Sequence, residues 1–207
     1  MADWSTHIYC AKKVNEELKF FGTDANLFLY GNILPDINTG WVFKPAVHID
    51  QSITHFEAGY SGQDYFWSPR RFYEKYSDEI KARKPLFMGY LFHLWLDVAV
   101  TTDCFSRVLF SELINKGYDV RRFKRNDLNV YIRKYPQTIS ASDIDAVVEA
   151  AKDIDEVSVC AGDLLEVSEA LSRFSKDIIE DRYFVYSEQD LDEFYEKVCK
   201  DFVNQFS

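Results

Sequence analysis

The sequence of residues 85–100 is PLFMGYLFHLWLDVAV, an apolar segment interrupted near its centre by two polar side chains, His93 and Asp97. Pro85 suits the first position of a helix, and the apolar residues after it predict a long buried helix that extends to about Glu112. The segment is too short, and too polar at its centre, to cross a lipid bilayer. We therefore predict a core helix of a globular domain and no transmembrane segment.

Apolar residues at helical spacing occur on both sides of this segment, and no stretch alternates as a β-strand does. The fold class predicted is all-α, a single-domain bundle of helices with an irregular segment around residues 37–68, which is rich in glycine and aromatic residues. A long irregular segment within a compact domain is often functional. Further helices are predicted near 6–21, 24–30, 50–56, 69–83, 121–134, 141–154, 161–180 and 188–205.

Several helix boundaries are predicted from capping patterns. Ser5 or Thr6 suits the start of the first helix, and Ser68 followed by proline suits the start of the helix near 69–83. Ser140 with Asp143, and likewise Ser187 with Asp190, have the spacing of N-terminal capping pairs and predict the starts of two further helices. Pro35 disfavours a helical conformation at the residue before it, which predicts a loop at Asp36.

The length of 207 residues suits one domain, in which residues 1–115 carry the candidate site and residues 116–207 form an acidic helical half that completes the bundle. The net charge of −10 argues against nucleic-acid binding, which depends on clustered lysine and arginine. The basic run at 121–125 is interpreted as a solvated helix face. Neither the oligomeric state nor a function for residues 140–207 is indicated.

The four cysteines, at 10, 104, 160 and 199, are widely separated and form no CxxC pair, which argues against a zinc ribbon or a thioredoxin-type motif. Residues 1–20 lack the charged and apolar regions of a secretory signal. We therefore expect reduced thiols and a cytoplasmic location.

All four histidines, at 7, 48, 55 and 93, fall in the first half of the chain. His93 and Asp97 are four residues apart on a predicted helix, so their side chains project from one face. Burying such polar groups among apolar neighbours is costly unless they have partners. A divalent cation bound by both side chains would satisfy them, and so would a simple hydrogen bond between them within the core.

Three further residues could add to this pair: His7 in the first helix, Asp36 after Pro35, and His55 at the end of the irregular segment. Imidazole nitrogens and carboxylate oxygens are donors that zinc, manganese and iron accept. The candidate metal ligands are therefore His7, Asp36, His55, His93 and Asp97. His48 has no obvious partner and is a weaker candidate.

The short motifs around these residues are, in chain order, TH at 6–7, GNILPD at 31–36, THF at 54–56 and GYLFHLWLD at 89–97. Their order and context resemble the zinc-dependent phospholipase C family, which is related to the S1/P1 nucleases. The resemblance covers about the first half of the chain. It implies an all-helical phosphoester hydrolase with one or two zinc ions.

The resemblance also implies residue roles. Asp36, His55, His93 and Asp97 would hold the first ion, and His7 would hold a second ion with Asp97 bridging the two. Two neighbouring ions can stabilise the attacking and leaving oxygens while lowering the pKa of water toward about 7. Asp36 would be the catalytic residue, as the base that orients the attacking water.

The sequence also departs from the family pattern. Secreted members bind metal through the main chain of an N-terminal tryptophan, whereas Trp4 lies within the sequence MADW. No histidine follows His93, which excludes the family's three-zinc arrangement in its usual form. Asp103 stands where a further histidine would be expected, so it is either a substitute oxygen ligand or an ordinary polar helix residue.

The expected substrate is a small-molecule or lipid phosphoester. Aromatic residues of the irregular segment would either line a pocket for it or fill the core, and these residues are Phe43, Phe56, Tyr60, Tyr65, Phe66 and Trp67. The HD phosphohydrolases are a weaker alternative, since the chain has no adjacent His-Asp pair. A stronger alternative is a non-catalytic helical binding or scaffold protein that retains a structural metal or a degenerate site.

Overall fold

The computed structural model describes residues 3–57, 68–102, 111, 113–117, 119–173 and 180–206. The principal helices, in chain order, are α1 Trp4–Leu18, α2 Thr23–Gly31, α3 Leu34–Ile37, α4 Gln51–Thr54, α5 Pro69–Lys75, α6 Ser77–Lys81, α7 Pro85–Thr102, α8 Val120–Arg133, α9 Ile144–Ala151, α10 Ala161–Arg173 and α11 Glu188–Phe206. The residues described form no β-strand, which confirms the prediction of an all-α fold.

The central helix of the bundle is α7, whose apolar residues from Leu86 to Leu96 are almost all buried. It lies unusually close to α2 because two glycines face each other across the contact. A Cβ atom at Gly31 would lie 2.2 Å from the carbonyl oxygen of Leu86, and one at Gly89 would lie 2.1 Å from that of Phe28. Only residues without a side chain allow this approach.

The C-terminal half packs against the first half around one hydrophobic core. On α11, the ring of Phe202 lies 4.8 Å from that of Phe92 on α7. At the opposite side, the amide of Asn26 on α2 donates to the carbonyl oxygens of Ser140 and Ser142, just before α9. The second half therefore helps to fix the positions of the helices that carry the candidate metal ligands.

Helix ends follow the sequence patterns in some places and differ in others. Ser187 and Asp190 cap α11 reciprocally, and Ser68 caps α5. The first helix, in contrast, is capped by Asp3, whose carboxylate accepts from the backbone of Thr6. The predicted cap at Ser5 or Thr6 is therefore wrong.

The predicted pairing of Ser140 with Asp143 is also wrong. Asp143 precedes α9 in a left-handed conformation and makes no capping hydrogen bond to that helix. Its carboxylate instead accepts from the hydroxyls of Thr23 and Ser142. A tertiary contact to α2 has taken the place of the local cap.

Two further predictions are corrected. The helix predicted over 69–83 is divided at Tyr76, which ends α5 and precedes α6. Asp36 lies in the single-turn helix α3 rather than in a loop. Pro35 is compatible with α3 because it lies in the first turn, where its missing N–H needs no partner.

Residues 38–50, between α3 and α4, contain no regular element, as predicted for the irregular segment. The segment is held in place by Asn38, whose side-chain amide donates to the carbonyl oxygens of Val47 and Ser158.

Among the residues with described structure, none of the helices is apolar over a length sufficient to cross a membrane.

Candidate metal centre

The structure brings together all five residues predicted as metal ligands. They come from separate elements: His7 from α1, Asp36 from α3, His55 from the residue after α4, and His93 and Asp97 from α7. Four of them have no solvent exposure, and Asp36 has 6%. A set of three imidazoles and two carboxylates is thus enclosed within the helical core.

Four of the donors face one another as the corners of a small cage. The Nε2 atoms of His55 and His93 are 3.2 Å apart. Oδ1 of Asp36 lies 3.4 Å from His55 Nε2 and 3.9 Å from His93 Nε2. Oδ2 of Asp97 lies 3.7 Å from His55 Nε2 and 3.6 Å from His93 Nε2.

These separations match those expected around a metal ion. Zinc bound to nitrogen and oxygen at its usual bond lengths in tetrahedral geometry separates its ligands by about 3.4 Å. The separations measured in the cage, from 3.2 to 3.9 Å, bracket that value. The donors that lie within 4.8 Å of one another form two groups of three, His7 with Asp36 and His93, and His55 with His93 and Asp97, and each group could hold an ion.

Both histidines have a hydrogen-bond partner on the Nδ1 side, and for His93 that partner fixes which ring nitrogen carries the proton. His93 Nδ1 lies 2.8 Å from the carbonyl oxygen of Asn32, which can only accept, so Nδ1 is the protonated nitrogen. His55 Nδ1 lies 2.8 Å from the hydroxyl of Thr54, which itself donates to the carbonyl of Gln51. Nε2 of His93 therefore presents a lone pair to the cage, as a metal ligand does, and Nε2 of His55 does the same when Thr54 accepts from His55 Nδ1.

Asn32 and Thr54, which contact the two histidines, are themselves held by hydrogen bonds. The side-chain amide of Asn32 donates to the carbonyl oxygen of Gly89, which holds the end of α2 against α7. The hydroxyl of Tyr90 donates to the carbonyl oxygen of Thr54 at 2.5 Å. The close approach of α2 and α7 thus determines the orientation of His93, and α7 also holds the turn that presents His55.

His7 lies beside the cage and completes the set. Its ring stacks on that of His93, with centroids 3.9 Å apart and planes at 7°. Its Nε2 lies 3.4 Å from Oδ1 of Asp97, the oxygen that does not face His55 and His93. Asp97 therefore directs one oxygen to the cage and the other to His7.

The buried atoms of the site without a hydrogen-bond partner include Oδ1 of Asp36 and Nδ1 of His7. Leaving such atoms unsatisfied in the protein interior costs about 1–3 kcal/mol each. For Oδ1 of Asp36, which points into the cage, a bound cation would remove that cost.

The site favours a neutral His93 and ionised Asp36 and Asp97. Burial and the neighbouring His7 lower the pKa of His93 to about 3. Burial acts to raise the pKa of Asp36 and of Asp97, but the adjacent histidines outweigh it, so both pKa values lie below their usual range. Two ionised carboxylates beside a neutral His93 favour a divalent cation.

The remaining candidates are not part of this set. His48 is exposed, beside Gly40, and does not belong to either group of donors that could hold a metal. Asp103 lies outside the described residues, as do Tyr60, Tyr65, Phe66 and Trp67 of the aromatic set. Phe43 packs edge-on against Trp4, and Phe56 packs edge-on against Phe72.

Four residues that support the donors were not predicted as parts of the site: Trp4, Asn32, Thr54 and Tyr90. Trp4 donates its indole N–H to Oδ2 of Asp36 at 3.0 Å, and both groups are buried. Asn32 and Thr54 lie within the GNILPD and THF motifs, so their position next to predicted ligands was the available signal. Trp4 and Tyr90 make contacts across different helices, which no local pattern indicates.

Comparison with known proteins finds no matching family model, no similar curated protein and no similar solved structure.

Proposed function

We propose that this protein is a hydrolase of phosphoester bonds that depends on a divalent metal, most simply zinc, with manganese and iron as alternatives. The observation that carries the proposal is the cage formed by His55, His93, Asp36 and Asp97, in which the Nε2 atoms of both histidines face two carboxylate oxygens and His93 Nε2 directs a lone pair inward. Nitrogen and oxygen donors in this combination are typical of catalytic metal sites. His7, beside Asp97 Oδ1, is proposed to hold a second ion, with Asp97 bridging.

A bound ion would supply Lewis acidity, which polarises a phosphoryl oxygen and makes water a stronger acid. The residues of the chain do the rest. The carbonyl oxygen of Asn32 fixes the protonated nitrogen of His93 and so keeps its Nε2 lone pair directed inward, while the hydroxyl of Thr54 orients the ring of His55. Asp36, with 6% solvent exposure, is the most exposed of the five donors, so substrate and water are proposed to approach from its side. We propose Asp36 as the base that accepts a proton from the attacking water.

The chemical class of the substrate is proposed from the resemblance of the motifs to the zinc-dependent phospholipase C family. A small-molecule or lipid phosphoester fits that resemblance, and the net charge of −10 disfavours a nucleic acid. The cytoplasmic location stays a prediction.

A second candidate function is a non-catalytic helical protein with a structural metal. The observation that favours it is the complete burial of His7, His55, His93 and Asp97. Structural metal sites are closed, whereas catalytic sites keep a position open to substrate. The two functions differ in what removal of the metal does.

Metal analysis of the purified protein, followed by assays on bis(4-nitrophenyl) phosphate, distinguishes them. A hydrolase should contain zinc or another divalent metal, lose turnover with a chelator and recover it when zinc or manganese is added. A structural metal should be present without turnover, and its removal should lower the melting temperature. A protein that binds no divalent metal would contradict both candidates.

Variants test the individual roles. His93→Ala and Asp97→Ala should each lower the bound metal sharply while helical content by circular dichroism is retained. Asp36→Asn should reduce turnover more than metal content, and unchanged turnover would exclude Asp36 as the base. His48→Ala is the matched control because His48 is exposed and outside the donor set, so metal content and turnover should stay at the level of the parent.

A further inference from the structure

The indole of Trp4 contacts the donor set from outside it. Its Nε1–H donates to Oδ2 of Asp36 at 3.0 Å, across 32 residues of sequence. Trp4 has 1% solvent exposure, and the ring of Phe43 packs edge-on against it at 5.9 Å. Phe43, which belongs to the irregular segment, thus helps to hold the indole of Trp4 in place.

The two oxygens of Asp36 have different surroundings. Oδ2 accepts the indole N–H, while Oδ1 faces Nε2 of His55 at 3.4 Å and has no hydrogen-bond partner. A hydrogen bond to a carboxylate from a neutral donor in the protein interior is strong and directional. It fixes the carboxylate plane and keeps Oδ2 turned away from the cage.

We propose that Trp4 is a positioning residue that makes Asp36 a one-oxygen ligand. The indole holds Oδ2, so Oδ1 alone enters the cage and the coordination number of a bound ion stays low. A low coordination number leaves a position open to substrate. This proposal rests on the proposed metal-dependent function and adds to it the residue that controls how Asp36 binds.

The test compares Trp4→Phe with the parent after loading each with Co²⁺, whose visible absorption is strong in four-coordinate sites and weak in five- or six-coordinate ones. Phenylalanine keeps an aromatic ring beside Phe43 but removes the N–H donor. Without the indole, both oxygens of Asp36 are free to bind, so the cobalt absorption should weaken. Zinc affinity, measured by competition with a chelating dye, should fall about 10–100-fold, as for other residues that orient metal ligands.

The kinetic effect should be on kcat with little change in KM, because the substitution alters the geometry of the ion and removes no contact expected for substrate. Trp41→Phe is the matched control. It makes the same chemical change at a residue that is 58% exposed, and it should leave the cobalt spectrum, zinc affinity and kcat unchanged.

Trp4→Phe removes buried volume, so a second substitution separates the hydrogen bond from packing. Benzothienylalanine at position 4 has nearly the shape of tryptophan, with sulfur in place of the N–H. It should reproduce the weaker cobalt absorption and lower zinc affinity of Trp4→Phe while the protein stays folded. A cobalt spectrum and zinc affinity equal to those of the parent would overturn the role of Trp4.

Failure of the proposed function and failure of the role of Trp4 give different experimental results. If the parent binds neither zinc nor cobalt, the proposed function is wrong and the role of Trp4 is lost with it. If the parent binds metal and hydrolyses the phosphodiester, but the position-4 variants match it, only the role of Trp4 is wrong.

Discussion

Acidification of the metal-free protein should destabilise it through His93, between about pH 6.5 and pH 3. An unperturbed histidine has a pKa of about 6.5. In the folded protein, burial and the neighbouring His7 lower the pKa of His93 to about 3. Between these values the unfolded chain binds a proton at this residue and the folded protein does not. The stability that His93 contributes is therefore fully present above the unfolded pKa and is lost as the pH falls.

The size of the effect follows from linkage. Each pH unit within this window costs about 1.4 kcal/mol, so lowering the pH from 7 to 5 should reduce the free energy of unfolding by about 2 kcal/mol through His93. The lowered pKa values of Asp36 and Asp97 act in the same direction, but their unfolded pKa of about 3.9 places that effect below about pH 5. The interval from pH 7 to pH 5 therefore isolates histidine.

The assay is urea unfolding of the chelator-treated protein at both pH values, with His93→Asn as the reference. The side-chain amide of asparagine can still donate to the carbonyl of Asn32, as His93 Nδ1 does, but it does not titrate. The parent should lose about 2 kcal/mol more than the variant over this interval. An equal loss in both proteins would refute the conclusion that His93 is held neutral by burial.

Two further predictions concern residues that support the donors. Gly89→Ala should lower the free energy of unfolding by about 1–3 kcal/mol or more, because its Cβ would lie 2.1 Å from a backbone oxygen of α2. Gly162→Ala is the control, since its Cβ would make only an ordinary contact at 3.6 Å. Equal melting temperatures for the two variants would contradict this. Thr54→Val should weaken zinc binding by about 10–100-fold, since Nδ1 of His55 would lose the hydroxyl that orients the ring. An unchanged affinity measured by dye competition would exclude that role.

The sequence predicts the helices best where a local signal coincides with a strong apolar pattern. Proline at the start and a nearly continuous apolar segment define α7, and the Ser187–Asp190 capping pair defines the start of α11. Both signals act within a few residues, so they can be read without knowledge of the fold. They identify the element that carries His93 and Asp97.

The boundaries that were predicted wrongly depend on tertiary contacts. Tyr76 interrupts the helix predicted over 69–83, and its hydroxyl donates to Glu156 and accepts from the backbone of Asp155. Asp143 accepts from Thr23 of α2 instead of capping α9. In each case a partner distant in sequence competes with the local pattern, and the sequence alone does not show that partner.

The residues of the site also differ in how far the sequence predicts them. The five donors could be predicted because residue type, motif order and the four-residue spacing of His93 and Asp97 all point to metal chemistry. The residues that orient them could not, since the hydrogen bond from Trp4 to Asp36 spans 32 positions and that from His93 to Asn32 spans 61. Prediction of such contacts requires the close packing of α2 and α7, which Gly31 and Gly89 allow.

The same close packing links the stability of the fold to the chemistry of the site. Asp36 and Asp97 have lowered pKa values and stay ionised in the core, and Oδ1 of Asp36 lacks a hydrogen-bond partner there. Burial of ionised carboxylates is tolerated only when other charges or ions offset it. Because His93 is neutral, it supplies no positive charge to offset the two buried carboxylates. A divalent cation in the cage would supply that charge, so metal binding and folding should be coupled even if the ion's main role is hydrolysis.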